Sequence, residues 1–185
     1  MRLIIPGQWP KLTGLGDLAP LYRIEYRAPG DARNTGLPDG SVDFICSTST
    51  LEHIPADDIL AILRECRRVA SSQALFSFII DYHDHYGTAD KQIGRFHFYR
   101  YSDREWRKFN PSNHYQNRLR HSDYEKLFER SGLSSLQNKR IFPDWTGPDL
   151  KRATVSPSFK HYSHDDLVAA NGHFLLSKIV SAPLA

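Results

Sequence analysis

The spacing of apolar and polar residues changes several times along the 185-residue chain, and each change predicts an element. Leu21 to Tyr26 reads as a short strand between Pro20 and Pro29-Gly30. A polar, turn-rich loop follows from Asp31 to Gly40, and then Ser41-Val42-Asp43-Phe44-Ile45-Cys46-Ser47 reads as a second strand. Only its N-terminal part alternates, and its apolar end predicts burial on both faces, as in a parallel sheet. Ile59, Ile62, Leu63, Cys66 and Val69 fall at helical spacing on one stripe. Pro55 suits the first turn of that helix, where a missing N–H costs nothing. Asp57 and Asp58 at its start, and Arg64, Arg67 and Arg68 toward its end, match the helix dipole. Ala74 to Ile80 reads as a buried strand, so the three elements form a right-handed βαβ unit in a parallel sheet.

From Asp81 to about Leu119 no period holds. The stretch is longer than an ordinary connection and dense in aromatics, histidines and arginines. Loops of that length are commonly functional lids or disordered, and the aromatics argue against disorder. Ser122 and Glu125 form a capping-box pattern for a helix to about Arg130, with Tyr124, Leu127 and Phe128 inward and Gly132 placed to end it. Leu133 to Ile141 reads as a strand, Ser163 with Asp166 opens a short helix, and Phe174 to Val180 reads as a closing strand.

Composition narrows the class. With 40% hydrophobic and 24% charged residues, the chain is neither disordered nor membrane-embedded in character. No apolar run is long enough for a membrane span or a signal peptide, so the expected location is cytoplasmic. A net charge of +3 spread among acids gives little support for nucleic-acid binding. The two cysteines, Cys46 in the second strand and Cys66 on the helix stripe, read as buried thiols.

Several motifs, in order, carry a resemblance. Gly30-Asp31-Ala32, the run Leu37 to Ile45, Leu51-Glu52-His53-Ile54 and Leu63 to Val69 together resemble the middle motifs of class I S-adenosylmethionine-dependent methyltransferases. Asn117-Arg118-Leu119-Arg120-His121-Ser122-Asp123-Tyr124 with Ser131-Gly132-Leu133 resembles a subgroup of that family with an extra loop after the fifth strand. The resemblance covers roughly residues 20–135. It implies a partial doubly wound, Rossmann-like α/β sheet, mostly parallel with a C-terminal antiparallel strand and helices on both faces. It also implies S-adenosylmethionine as cofactor, with Asp31 and Ala32 at the adenine and Ser47 and Thr48 on the pocket wall. His53 would then face cofactor or acceptor as a general base, since imidazole titrates near neutrality. In the insertion, His85, His97, Arg118 and His121 are the expected acceptor contacts, by stacking and by pairing with a carboxylate or phosphate. The acceptor itself, a small molecule or a glycan, is not specified by any motif. The histidine spacing there matches no strong metal template, so no metal is expected; a histidine-rich metal-dependent hydrolase is the remote third reading.

The expected organisation is one domain. It comprises an irregular segment at 1–20, core strands and helix at 21–80, the insertion at 81–121, and C-terminal helices and strands at 122–185. A glycine-rich strand–turn–helix for the cofactor is missing. Gly14-Leu15-Gly16-Asp17-Leu18-Ala19 has no strand leading into it and no room for the helix that must follow. Weak or absent cofactor binding by this chain alone is therefore expected, with the missing half upstream in the intact gene, on another chain, or in the natural relatives of a degraded copy. The alternative is a non-catalytic interaction module that self-associates through an open sheet edge.

Overall fold

The computed structural model describes residues 14, 22–90 and 92–179. The chain divides into two compact units, residues 1–31 and 32–185. In the first, the strand expected at Leu21–Tyr26 is not formed over its described part from Tyr22 onward. Arg23 takes a positive φ of 58°, which extended pairing does not tolerate, and Arg27 pairs with Glu25 at 2.6 Å on the exposed surface. Apart from Gly14, the rejected glycine motif lies outside the described residues.

The second unit holds a four-stranded sheet. Its strands are β1 (Val42–Thr48), β2 (Ala70–Asp81), β3 (Leu133–Ile141) and β4 (Asn171–Lys178), in the order β1-β2-β4-β3. β1 and β2 are parallel, with Ile45 beside Phe76 and Ser47 beside Phe78. β4 runs antiparallel to both β2 and β3, so three strands share one direction and the C-terminal strand opposes them.

Helix α1 (Ala56–Val69) makes the β1–β2 crossover, and Ile59, Leu63 and Val69 of the expected stripe are buried. Its arginine end also fixes the preceding loop. Arg68 bonds Glu65 at 2.7 Å and the Leu37 carbonyl at 2.8 Å, and pairs with Asp39; Glu65 also accepts from the Thr35 amide and hydroxyl. Between β2 and β3 come α2 (His85–Ala89), α3 (Asp103–Trp106) and α4 (His121–Arg130). α1 and α4 pack together, and their apolar faces meet Phe76, Phe78 and Ile80 of β2 and Phe174 and Leu176 of β4 in the main core. Gly132, at φ 79°, ends α4 as expected.

Two local expectations are corrected. The cap of α4 is not Ser122 with Glu125: Asp123 takes the Arg120 amide at 2.9 Å, so the helix begins earlier, and Glu125 reaches Asn138 and Arg140 instead. β1 is not buried on both faces. It is an edge strand among the described residues, leaving Phe44 57% exposed and Cys46 exposed; Cys66 is half-buried, and burial pushes its thiol up to about 11. The insertion is an aromatic core of its own. Phe96, Phe98, Tyr99 and Trp106 pack with Phe159, and Trp145 joins from α5 (Thr146–Arg152) as its N-cap. A short helix α6 (His164–Val168), capped by Ser163 as predicted, precedes β4.

Candidate functional site

Parallel strands deliver their polar residues at their carboxyl ends, where ligands bind in open α/β sheets. β1 ends at Ser47 and Thr48, and the next residue, Ser49, has φ 47°, an uncommon setting for a non-glycine residue. The Ser49 amide bonds the Ile79 carbonyl at 2.9 Å, tying this turn to β2. A 3-10 turn at Leu51–His53 then buries Glu52, only 1% exposed, and leaves His53 outside. β2 ends at Asp81, and the residues that follow continue in steps of two as His83 and His85.

Three consecutive residues of the insertion hold these two segments. The Tyr115 carbonyl accepts from His53 Nδ1 at 2.8 Å. A carbonyl only accepts, so Nδ1 carries the proton and Nε2 keeps its lone pair when the ring is neutral. Gln116 bridges the histidine run, accepting the His85 amide at 3.2 Å and donating to the His83 carbonyl at 2.7 Å. Asn117 donates to the Leu51 and Ile54 carbonyls, each at 2.8 Å, and its own amide bonds the Glu52 carbonyl at 2.7 Å.

The rings of His53 and His85 lie 4.8 Å apart, and those of His83 and His85 5.7 Å apart. Asp81 contacts His83 Nδ1 and stands 3.7 Å from His85 Nε2. Burial opposes ionisation of Asp81, but hydrogen bonding to His83 and His85 outweighs it and holds the carboxyl well below the ordinary range. The same contact raises the His85 pKa. Glu52 differs: burial raises its pKa, its own backbone amide opposes the rise, the Asp81 charge adds to it, and neither carboxylate oxygen makes a well-formed hydrogen bond.

The structure therefore brings Ser47, Thr48, His53 and His85 to one end of the sheet. Asp31 closes the N-terminal unit and Ala32 opens the second, in the turn before Arg33, which pairs with Asp58 of α1 at 2.7 Å. His97 lines a cavity of about 580 Å³ beside Arg95, Arg100, Trp145 and Arg152, and stands 3.7 Å from buried Asp84. Arg118 and His121 are corrected: both are packing residues. Arg118 donates to the Phe98 and Tyr101 carbonyls and to Asp103 and lies over the Trp106 and Phe159 rings. His121 is fully buried between Tyr82, Asn138 and Phe174. The arginines that do face a cavity, Arg95, Arg100 and Arg152, were missed, as were Glu52, Asp81, His83 and Gln116. Asp81, His83 and His85 had a visible signal in their alternate spacing; Glu52 had none, because only the fold brings it to them.

A β–α–β unit with polar groups gathered at the strand ends defines a Rossmann-like α/β layer. Within it, residues 17–78 match the family model described as a methyltransferase domain, so the resemblance to the class I S-adenosylmethionine-dependent methyltransferases holds over that segment. No curated protein matches the chain. Among solved structures it is similar to a S-adenosylmethionine-dependent methyltransferase from Leishmania major, with 12% identity, 79% of this chain and 42% of that one covered, and a TM-score of 0.44. For one from Methanosarcina mazei the values are 10%, 81%, 65% and 0.47. For one from Archaeoglobus fulgidus they are 11%, 80%, 66% and 0.48. The chain thus spans less than two thirds of each of these proteins, and likenesses at this level carry no inference about its activity. Among the described residues, no helix is long and apolar enough to cross a membrane.

Proposed function

We propose that this chain forms the acceptor-side part of a S-adenosylmethionine-dependent methyltransferase domain. The observation that carries the reading is His53. It stands at the carboxyl end of the parallel pair with Nδ1 tied to the Tyr115 carbonyl and Nε2 left to take a proton. Ser47, Thr48 and the strained turn at Ser49 supply polar groups beside it, which fits one wall of the cofactor pocket. Asp31 and Ala32 are the adenine contacts in this reading. In this reading the rest of the cofactor's cradle is supplied by a glycine-rich strand–turn–helix beyond the residues described.

Bound S-adenosylmethionine supplies an electrophilic methyl group. The chain's part is to orient the acceptor, exclude water and take a proton at His53 Nε2 where the acceptor must lose one. Arg95, Arg100 and Arg152 around the cavity suit an acceptor bearing a carboxylate or phosphate.

The test follows labelled methyl transfer to hydroxylated small molecules and glycans, with the chain alone and with a supplied glycine-rich N-terminal half. Transfer only in the completed form, lowered about a hundredfold or more by His53→Ala, supports the reading. Transfer unaffected by that substitution removes His53 from the chemistry. Micromolar S-adenosylmethionine binding by the chain alone in calorimetry overturns the division of the cofactor site.

A further inference from the structure

The cluster beyond the strand ends holds more ligating chemistry than a single base requires. Glu52, His53 and His85 each present an atom within 4.8 Å of the others, and Asp81, His83 and His85 do the same. His85 belongs to both groups. A first-row transition ion binds imidazole nitrogen and carboxylate oxygen at about 2.0–2.2 Å, so opposed ligand atoms sit at most about 4.2 Å apart. The Glu52–His53–His85 triad needs only a small inward shift to reach that span, whereas Asp81 and His83 Nδ1 already touch and an ion there would replace the proton between them.

Glu52 independently points to a cation. Its carboxylate is 1% exposed with both oxygens unpartnered, beside a second carboxylate at Asp81. Burying an ionised group without partners costs several kcal/mol in general, and here nearby imidazoles are the available company. His83 Nδ1 is buried against Asp81, so the second carboxylate already has an imidazole in contact with it. Orientation is already arranged. The Tyr115 carbonyl fixes His53 with Nε2 as the ligating atom, the outer-shell contact that metal-bound histidines ordinarily make. Gln116 holds the backbone of His83 and His85 from both sides.

We propose that this cluster is a divalent transition-metal site of the zinc or cobalt type, pivoting on His85, with Glu52 and His53 on one side and Asp81 and His83 on the other. Imidazole with carboxylate favours such ions over magnesium or calcium, which take all-oxygen shells. An ion on His53 Nε2 uses the lone pair that proton abstraction needs, so the metal-bound and base-competent forms of His53 exclude each other. The ion-binding claim rests on this chain's side chains and stands whether or not methyl transfer does.

Binding is read without any methyl donor. The 185-residue chain is titrated with Co2+, following visible absorption, and with Zn2+ by calorimetry. The expected result is one ion per chain at micromolar affinity, with Zn2+ bleaching the Co2+ spectrum. Glu52→Gln and Asp81→Asn should each weaken binding about tenfold or more, and His85→Asn should abolish it. His164→Asn, at an exposed histidine of α6, should leave it unchanged. Circular dichroism checks that each variant folds, and the two carboxylate variants carry the test if His85→Asn does not. Absence of a Co2+ spectrum, or affinity indifferent to Glu52, Asp81 and His85, overturns the site. Loss of methyl transfer with metal binding intact leaves it standing.

Discussion

Asn117 offers a sharp test of how the site is held. Its amide nitrogen donates to the Leu51 and Ile54 carbonyls at 2.8 Å each, while Oδ1 accepts from the Leu119 amide at 3.1 Å and the Tyr124 hydroxyl at 3.2 Å. Replacement by aspartate keeps the shape and both acceptor bonds but removes both donors. The Ile54 carbonyl then loses its donor, the Leu51 carbonyl keeps only the Ile54 amide at 3.2 Å, and both face a carboxylate. An unsatisfied acceptor costs about 1–3 kcal/mol, and an unpaired buried charge costs more. The expected loss is therefore about 4 kcal/mol in total, a large share of a stability of about 5–15 kcal/mol. For a chain of this length that corresponds to roughly 8–16 °C in Tm. Urea unfolding followed by tryptophan fluorescence measures the change. Asn113→Asp, at an exposed position of the same segment, should move stability by less than about 0.5 kcal/mol. If Asn117→Asp costs under about 1 kcal/mol, the tie between the insertion and the Leu51–Ile54 turn is not structural, and the placement of His53 loses its support.

Gly172→Ala should destabilise by about 3 kcal/mol or more, because a Cβ there falls 2.0 Å from Tyr82 Oη and 2.7 Å from His121 Nδ1; an unchanged melting temperature contradicts that packing. Stability should decline as pH falls through about 6.5, since burial depresses the His121 pKa and the unfolded chain takes the proton first. Tyr82, Glu125, Asn138, Arg140 and Asp166 surround that ring, and His121→Gln should flatten the slope in pH-dependent urea unfolding unless another group is responsible. Phe44→Lys, at the most exposed apolar position of edge strand β1, should lower any concentration-dependent association seen in sedimentation; association that persists unchanged places the contact elsewhere.

The β1–α1–β2 unit was legible because hydrophobic period reports burial directly: Ile59, Leu63 and Val69 face the core that their spacing predicts. Period is blind to neighbours, however. Val42–Thr48 has the composition of a central strand, yet it lies at a sheet edge among the described residues, so Phe44 and Cys46 are exposed. Arginines show the same limit. Arg118 and Arg95 look alike in a basic, aromatic stretch; one donates to main-chain carbonyls in the interior, while the other lies 4.3 Å over Trp145 at a cavity wall.

The site exposes a further distinction. His53 and His85 could be singled out as reactive residue types, but their roles depend on groups with no chemical signature. Tyr115 contributes only a main-chain oxygen, yet that oxygen determines which His53 nitrogen keeps its lone pair. Gln116 and Asn117 contribute neutral amides that satisfy the backbone on either side of the cluster. Neutral amides add no charge, so they fix position without compensating Glu52, whose carboxylate remains unpartnered. A frame so well satisfied around a carboxylate left so poorly satisfied leaves that group to take up a proton or a cation, and a cation is the partner that the surrounding imidazoles and carboxylates are chemically suited to hold.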